Sequence, residues 1–247
     1  MLQGAIFDLG STLISNEYNN NWSKLRPRMI ADLTADLQAQ GLALGREVFA
    51  EAFARIFADF DVQRQTHFKE ITSDYILRTT LNELNIPSDG LDVPRALAAY
   101  FAFSESLWTP MPGVHEALAE LASARRGLKL AIVSNAADEA NVQRLIDNHS
   151  LRSYFDPIVV SAAVGVRKPN PRIFAPVLEA WQIPPGEMVV IGDTLGADTL
   201  GAKHAGMKSV WVTMEADTPY NEAHRHTIIP DAVASSLAEL PDILERI

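Results

Sequence analysis

The spacing of apolar residues changes twice along the chain. Residues 2–7 form a short apolar run that stops at Asp8, the pattern of a buried strand feeding a loop. Between Pro27 and Trp108 the apolar positions recur at helical spacing, with no convincing strand. Met29, Ile30, Leu33 and Leu37 share one face, and Pro27 suits a first helical turn. Val48, Phe49, Phe53, Ile56, Phe57 and Phe60 mark a second helix. Tyr75, Leu77, Leu81 and Leu84 mark a third, and Val93, Leu97, Tyr100, Phe101 and Leu107 a fourth. From Pro110 onward, short apolar runs at 128–133, 158–161, 188–191 and 209–212 alternate with amphipathic stretches. These stretches run from Pro112-Gly113 to Arg125-Arg126, and over 138–148, 171–181 and 195–205.

Alternation of this kind predicts the α/β class: a doubly wound, Rossmann-like parallel sheet covered by helices on both faces. The first strand belongs with this later part, so the four helices are an insertion, expected to form a four-helix bundle. The expected division is a core of residues 1–13 and 110–247 and an inserted bundle of 14–109. Trp22 and Trp108, near the two chain crossings, are expected to anchor the bundle by packing. A length of 247 residues with 47% hydrophobic positions suffices for both parts.

Charge and composition narrow the partners. A formal net charge of −10 argues against nonspecific nucleic-acid binding, which needs clustered Lys and Arg. A locally positive pocket can still hold a small anion. The absence of cysteine excludes disulfides and thiolate metal sites and fits a reducing compartment. The first residues reach Asp8 too soon for a signal peptide, and no apolar run approaches the roughly 20 residues of a membrane span. The expectation is a cytoplasmic protein, monomer or homodimer, whose partner is a small molecule and neither nucleic acid nor membrane.

Functional groups of doubly wound sheets gather beyond the carboxyl ends of the strands. Four such ends carry complementary chemistry here: Asp8, Ser134-Asn135, Lys168-Pro169 and Gly192-Asp193. One polar residue at a strand end is commonplace, and Gly192-Asp193-Thr194 alone could be a turn with a helix cap. Four together, in this order, describe a site.

The segments Ala-Ile-Phe-Asp-Leu-Gly-Ser-Thr-Leu at 5–13 and Ile-Val-Ser-Asn-Ala at 132–136 carry part of a family likeness. The segment at 165–174, Gly-Val-Arg-Lys-Pro-Asn-Pro-Arg-Ile-Phe, and the Gly-Asp-Thr-Leu-Gly-Ala-Asp segment at 192–198 carry the rest. Together they resemble the haloacid dehalogenase-like hydrolase superfamily, phosphatase type, with the helices placed where that family carries its C1-type cap. The resemblance implies an Mg²⁺-dependent phosphatase acting on a small phosphorylated metabolite, a phosphate ester. It implies that Asp8 is the nucleophile, forming an aspartyl-phosphate, and that Lys168 offsets the charge of Asp8 and the phosphoryl oxygens. Ser134, by its hydroxyl, and Asn135, by its backbone N–H, would cradle the phosphate. Asp8 and Asp193 would bind Mg²⁺ directly, with the Gly10 carbonyl, and Asp198 would be a ligand or an orienting group.

Position 10 departs from the family. Its phosphatases place there a second Asp, whose carboxyl moves the proton of the leaving group. Gly10 keeps the carbonyl and loses the acid, a loss of about 10²–10⁴-fold for poor leaving groups. Ser11, Asn16, Glu17 or a residue of the inserted helices could substitute. The departure also leaves open a catalytically weakened protein that binds a phosphorylated ligand. A 2-haloacid dehalogenase, which likewise lacks the second Asp, would leave the Gly-Asp-Thr segment without a use. Arg26, Arg28, His67 and Lys69 are possible substrate contacts from the insertion, though exposed surface is the simpler expectation for each.

Overall fold

The computed structural model describes residues 1–16, 18, 22–123 and 127–247. The chain begins with β1 (Gly4–Phe7) and β2 (Ile14–Asn16), then runs through α1 (Trp22–Ala39), α2 (Arg46–His67), α3 (Ser73–Glu83) and α4 (Val93–Glu105) to β3 (Trp108–Pro110). The remainder alternates: α5 (Val114–Ala122), β4 (Lys129–Ser134), α6 (Glu139–Asn148), β5 (Ile158–Val160), α7 (Ser161–Val164) and α8 (Ala175–Trp181). It ends with β6 (Met188–Gly192), α9 (Leu200–His204), β7 (Lys208–Val212), α10 (Pro219–His224), β8 (Ala232–Ala234) and α11 (Leu240–Arg246).

Six strands form one parallel sheet in the order β5-β4-β1-β6-β7-β8. β1 lies between β4 and β6, with Phe7 in register with Ile132 on one side and Ile191 on the other. The strands are apolar throughout because helices cover both faces. Phe7, Ile132, Ile191 and Val210 face Leu118 of α5, Leu145 of α6 and Leu244 of α11. Ile6, Ala131, Val133 and Val190 face Phe174, Val177, Trp181 and Ala202 on the other side. Full burial of each large aliphatic or aromatic side chain contributes about 1.5–3 kcal/mol.

Helices α1–α4 build a separate core from Leu25, Leu33, Phe49, Phe53, Leu77 and Tyr100. Within it α1 packs on α2 and α4, and α3 on α2 and α4. Thr72 and Asp92 cap α3 and α4 by accepting from the backbone N–H groups of Tyr75 and Arg95.

Several details differ from the sequence expectation. Pro27 lies inside α1 and not in its first turn. Packing extends the helix ahead of it: Leu25 enters the core of the insertion, and Trp22 meets Trp108 with ring centroids 6.2 Å apart. Val48 and Tyr75 face solvent, while Phe49 and Phe53, and Ile76 and Leu77, point inward. The two chain crossings pair as an antiparallel ribbon, β2 with β3, and β8 closes the sheet; neither was legible as a strand. Arg125, Arg126 and Glu17 lie outside the described residues. Among the described residues, no helix is long and apolar enough to cross a membrane.

Candidate active site

β1, β4 and β6 end at one edge of the sheet, beside the point where strand order reverses about β1. Asp8 follows β1 directly, its N–H donating to Ile191 O at 2.9 Å. Ser134 closes β4 and Asp193 follows β6. These residues line a cleft of about 830 Å³ between the sheet edge and the inserted helices, together with Gly10, Asn135, Lys168 and Asp198. All seven residues expected at the site therefore meet in one cavity.

Lys168 organises it. Its side chain is 1% exposed, and its ammonium lies 2.6 Å from Asp8 Oδ1, 2.7 Å from Asp198 Oδ1 and 2.7 Å from the Val133 carbonyl. An ammonium has three donors, and three oxygens surround this one. Burial works against its charge, but Asp198 and Asp8 outweigh that and hold its pKa above the ordinary lysine value. Asn135 fixes the backbone of Lys168 from both sides: the Lys168 N–H donates to Asn135 Oδ1 at 2.8 Å, and Asn135 Nδ2 donates to Lys168 O at 3.0 Å. The Asn135 side chain is thus committed to placing the lysine.

The segment after β6 bends sharply so that two carboxylates face the same space. Leu195–Thr199 forms a widened π-type turn. It folds Asp198 back against Gly192, where a Cβ would collide with the carboxyl, so only glycine fits. Asp198 Oδ2 accepts from the Thr194 N–H at 3.0 Å, and Thr194 Oγ1 donates to Asp193 Oδ2 at 3.2 Å. Behind this turn, Trp211 Nε1 and Asn221 Nδ2 donate to the Asp193 carbonyl at 2.7 and 2.8 Å, while Asn221 Oδ1 accepts from the Leu195 N–H at 2.9 Å. Nothing in the sequence pattern marks Asn221, whose part in the site comes from these two long-range contacts.

Asp8, Asp193 and Asp198 each offer a carboxylate oxygen, all within 4.8 Å of one another. Facing them is one lysine, and the surplus of buried negative charge is felt. Burial, with a further push from Asp198 and against the pull of Lys168, raises Asp8 from 3.8 to about 6. Burial, then Asp8 and Asp198, holds Asp193 well above the ordinary carboxylate value. An all-oxygen, electron-rich cluster of this kind fits a hard divalent cation.

None of the four possible substrate contacts named in the insertion lines the cleft, in keeping with the simpler expectation of surface positions. Arg26 stacks over Phe57 at 4.1 Å from the ring centroid, and Arg28 pairs with Asp32 at 2.9 Å, both within the insertion. His67 and Lys69 are exposed. Besides Lys168, Arg64 of the insertion and Arg167 of the core line the cleft.

Side chains at the switch point of a doubly wound sheet stand where such folds carry their enzymatic sites. The chain belongs to the haloacid dehalogenase-like hydrolases: the sequence profile of that family matches residues 42–212. It is 29% identical over 177 residues to the glyceraldehyde 3-phosphate phosphatase of Pyrococcus furiosus, covering 70% of this chain and 68% of that protein. For the first three curated relatives the aligned part spans 58% to 68% of their length. Among solved structures, a HAD phosphatase from Thermococcus onnurineus superposes with a TM-score of 0.65 at 23% identity, over 98% of both chains. A 2-haloacid dehalogenase from Pseudomonas syringae gives the same score and identity over 100% of this chain and 99% of that one. The fold alone therefore does not separate ester hydrolysis from dehalogenation.

Proposed function

We propose that the protein hydrolyses small phosphate monoesters, with Asp8 as nucleophile and an aspartyl-phosphate on the path. The observation that carries this reading is the cluster of Asp8, Asp193 and Asp198 around Lys168. A carbon-centred displacement of halide needs one carboxylate; three clustered carboxylates, two of them buried, suit a cation and the dianionic phosphoryl group it helps to neutralise. The names of relatives such as the Pyrococcus phosphatase agree with this choice.

Asp8 and Asp193, with the Gly10 carbonyl, would hold Mg²⁺. The engagement of both Asp198 oxygens, by Lys168 and Thr194, supports an orienting role for that residue. Bound Mg²⁺ supplies positive charge that lets an anionic nucleophile and an anionic ester approach. Lys168 supplies the other positive charge and, gripped by Asn135, keeps the Asp8 carboxylate turned toward the cleft. Ser134 at the end of β4 offers its hydroxyl to the phosphoryl oxygens. The helical insertion, as a cap, excludes water and selects the substrate. The expected cellular setting is the cytoplasm.

A screen of phosphate esters with and without Mg²⁺, beside Asp8→Asn, tests the reading. Metal-dependent turnover that disappears in the variant supports it. Binding of esters without turnover would favour a ligand-binding role, which the glycine at position 10 already makes conceivable. Chloride release from a 2-chloro acid in the presence of a chelator would favour the dehalogenase.

A further inference from the structure

At the seam between α2 and the loop after α7, two guanidinium groups share one buried carboxylate. The Glu70 side chain is 0% exposed; Arg64 Nη1 lies 3.5 Å from its Oε1, and Arg167 Nη1 3.7 Å from its Oε2. Glu70 is better satisfied elsewhere, by Ser161 Oγ donating to Oε2 at 2.5 Å and by the Ile71 N–H donating to Oε1 at 3.1 Å. The two arginine contacts are longer than the 2.7–2.9 Å of a charge-assisted hydrogen bond, so the forks keep donors to spare. Arg64 has one closer partner, Asp61 at 3.1 Å, whose side chain is 42% exposed.

Holding the seam together does not require these cations. Backbone bonds already join it: Glu70 N to Gly165 O and Arg167 N to Phe68 O, each at 3.1 Å. Ser161 adds its bond to Glu70. The arginines instead add positive charge that is costly to bury. Burial depresses the pKa of Arg167; Glu70 offsets this only in part, and Arg64 adds repulsion. Arg64 is 5% exposed in its side chain, and its Nε has no hydrogen-bond partner. Both guanidinium-bearing residues line the cleft that contains Asp8 and Lys168. Asn141, which also lines the cleft, has a buried Oδ1 without a partner, an acceptor open to a hydroxyl or amine.

We propose that Arg64 and Arg167 form a second anion subsite, so that the preferred substrate is a phosphate ester bearing another oxyanion, a carboxylate or a second phosphate. This rests on the phosphate-ester reading of the Asp8 end of the cleft. A bidentate guanidinium contact recognises either oxyanion, and a neutral tail would leave the spare guanidinium donors of the seam unused.

The test is binding of phosphonates, which are not hydrolysed, to the full chain by calorimetry. Phosphonopropionate and propylene diphosphonate are each compared with propylphosphonate; the two arms separate carboxylate from second phosphate. At least one should bind about tenfold or more tighter than propylphosphonate, as a charged hydrogen-bonded contact allows. Arg167→Gln and, separately, Arg64→Gln should each shrink that ratio, with Arg167→Lys retaining part of it. Equal affinities, no binding of any of the three, or a ratio that survives both Gln variants would overturn the proposal. If a variant does not fold, the wild-type ratio still decides. Ester turnover without a second-anion preference would refute the subsite and leave the phosphatase reading standing; a preference without turnover would do the reverse.

Discussion

The indole of Trp108 stands over Gly10: a Cβ on residue 10 would lie 3.3 Å from Trp108 Cη2 and 3.7 Å from Cζ3. Gly10 does not have a left-handed backbone, so the obstacle to a side chain there is the ring and not the chain conformation. The aromatic that helps join the insertion to the core thereby occupies the approach of the missing acid. Gly10→Asp combined with Trp108→Phe should raise kcat on an alkyl phosphate by about tenfold or more, within the range of general acid catalysis. Gly10→Asp alone should do less, because Trp108 must first give way. Steady-state kinetics of the two variants and the double variant read the difference; an unchanged alkyl rate in all three would show that protonation of the leaving group is not what limits the enzyme.

The same absence dictates leaving-group preference in the natural chain. Without an acid at position 10, an activated aryl phosphate should turn over about a hundredfold or more faster than an alkyl phosphate of similar size. Comparable kcat values would mean that another group donates the proton.

Lys168→Met should remove activity and stability together. It leaves Asp8 and Asp198 buried without their shared cation, and breaking a buried pair from one side costs about 3–5 kcal/mol. Denaturant unfolding and turnover, measured with and without Mg²⁺, give the two readouts. A variant as stable as the parent under both conditions would contradict the electrostatic role assigned to the lysine.

Metal binding should stabilise the fold more as pH rises. Asp8 is raised to about 6 from 3.8, and Asp193 is raised as well. A raised carboxyl favours the folded state while protonated, so its contribution is complete below the unfolded value and is lost as pH climbs through the folded value. Over that window the carboxylates become available to a cation, which must displace their protons. The Tm gain from Mg²⁺ should therefore be small near the ordinary carboxylate range and grow as pH rises through about 6, where Asp8 ionises. Thermal melts across pH check this; a gain independent of pH would argue that neither carboxyl holds the ion.

Much of the core was legible in the sequence, for a physical reason. Strands covered on both faces read as apolar runs, and the polar residues that end them, Asp8, Ser134 and Asp193, stand out against that background. The β2–β3 ribbon did not read because Ile-Ser-Asn and Trp-Thr-Pro make no apolar run, and β8 did not because it is a short, partly exposed edge strand. Glu70, Arg167 and Asn221 take their meaning from partners far away in the chain, and Arg64 takes its place in the cleft from the packing of α2 on the core, so none of the four stands out in the sequence. The stretch around residues 64–70 drew attention through His67 and Lys69, its exposed members, while the buried ion pairs lay beside them.

Acid quench of the enzyme during turnover with Mg²⁺, followed by peptide mass spectrometry, tests the central claim most directly. The account predicts a phosphoryl group on the peptide containing Asp8, localised to that side chain, and neither adduct nor turnover in Asp8→Asn. Undiminished ester hydrolysis by Asp8→Asn, or a phosphoryl group found on another residue, would contradict it.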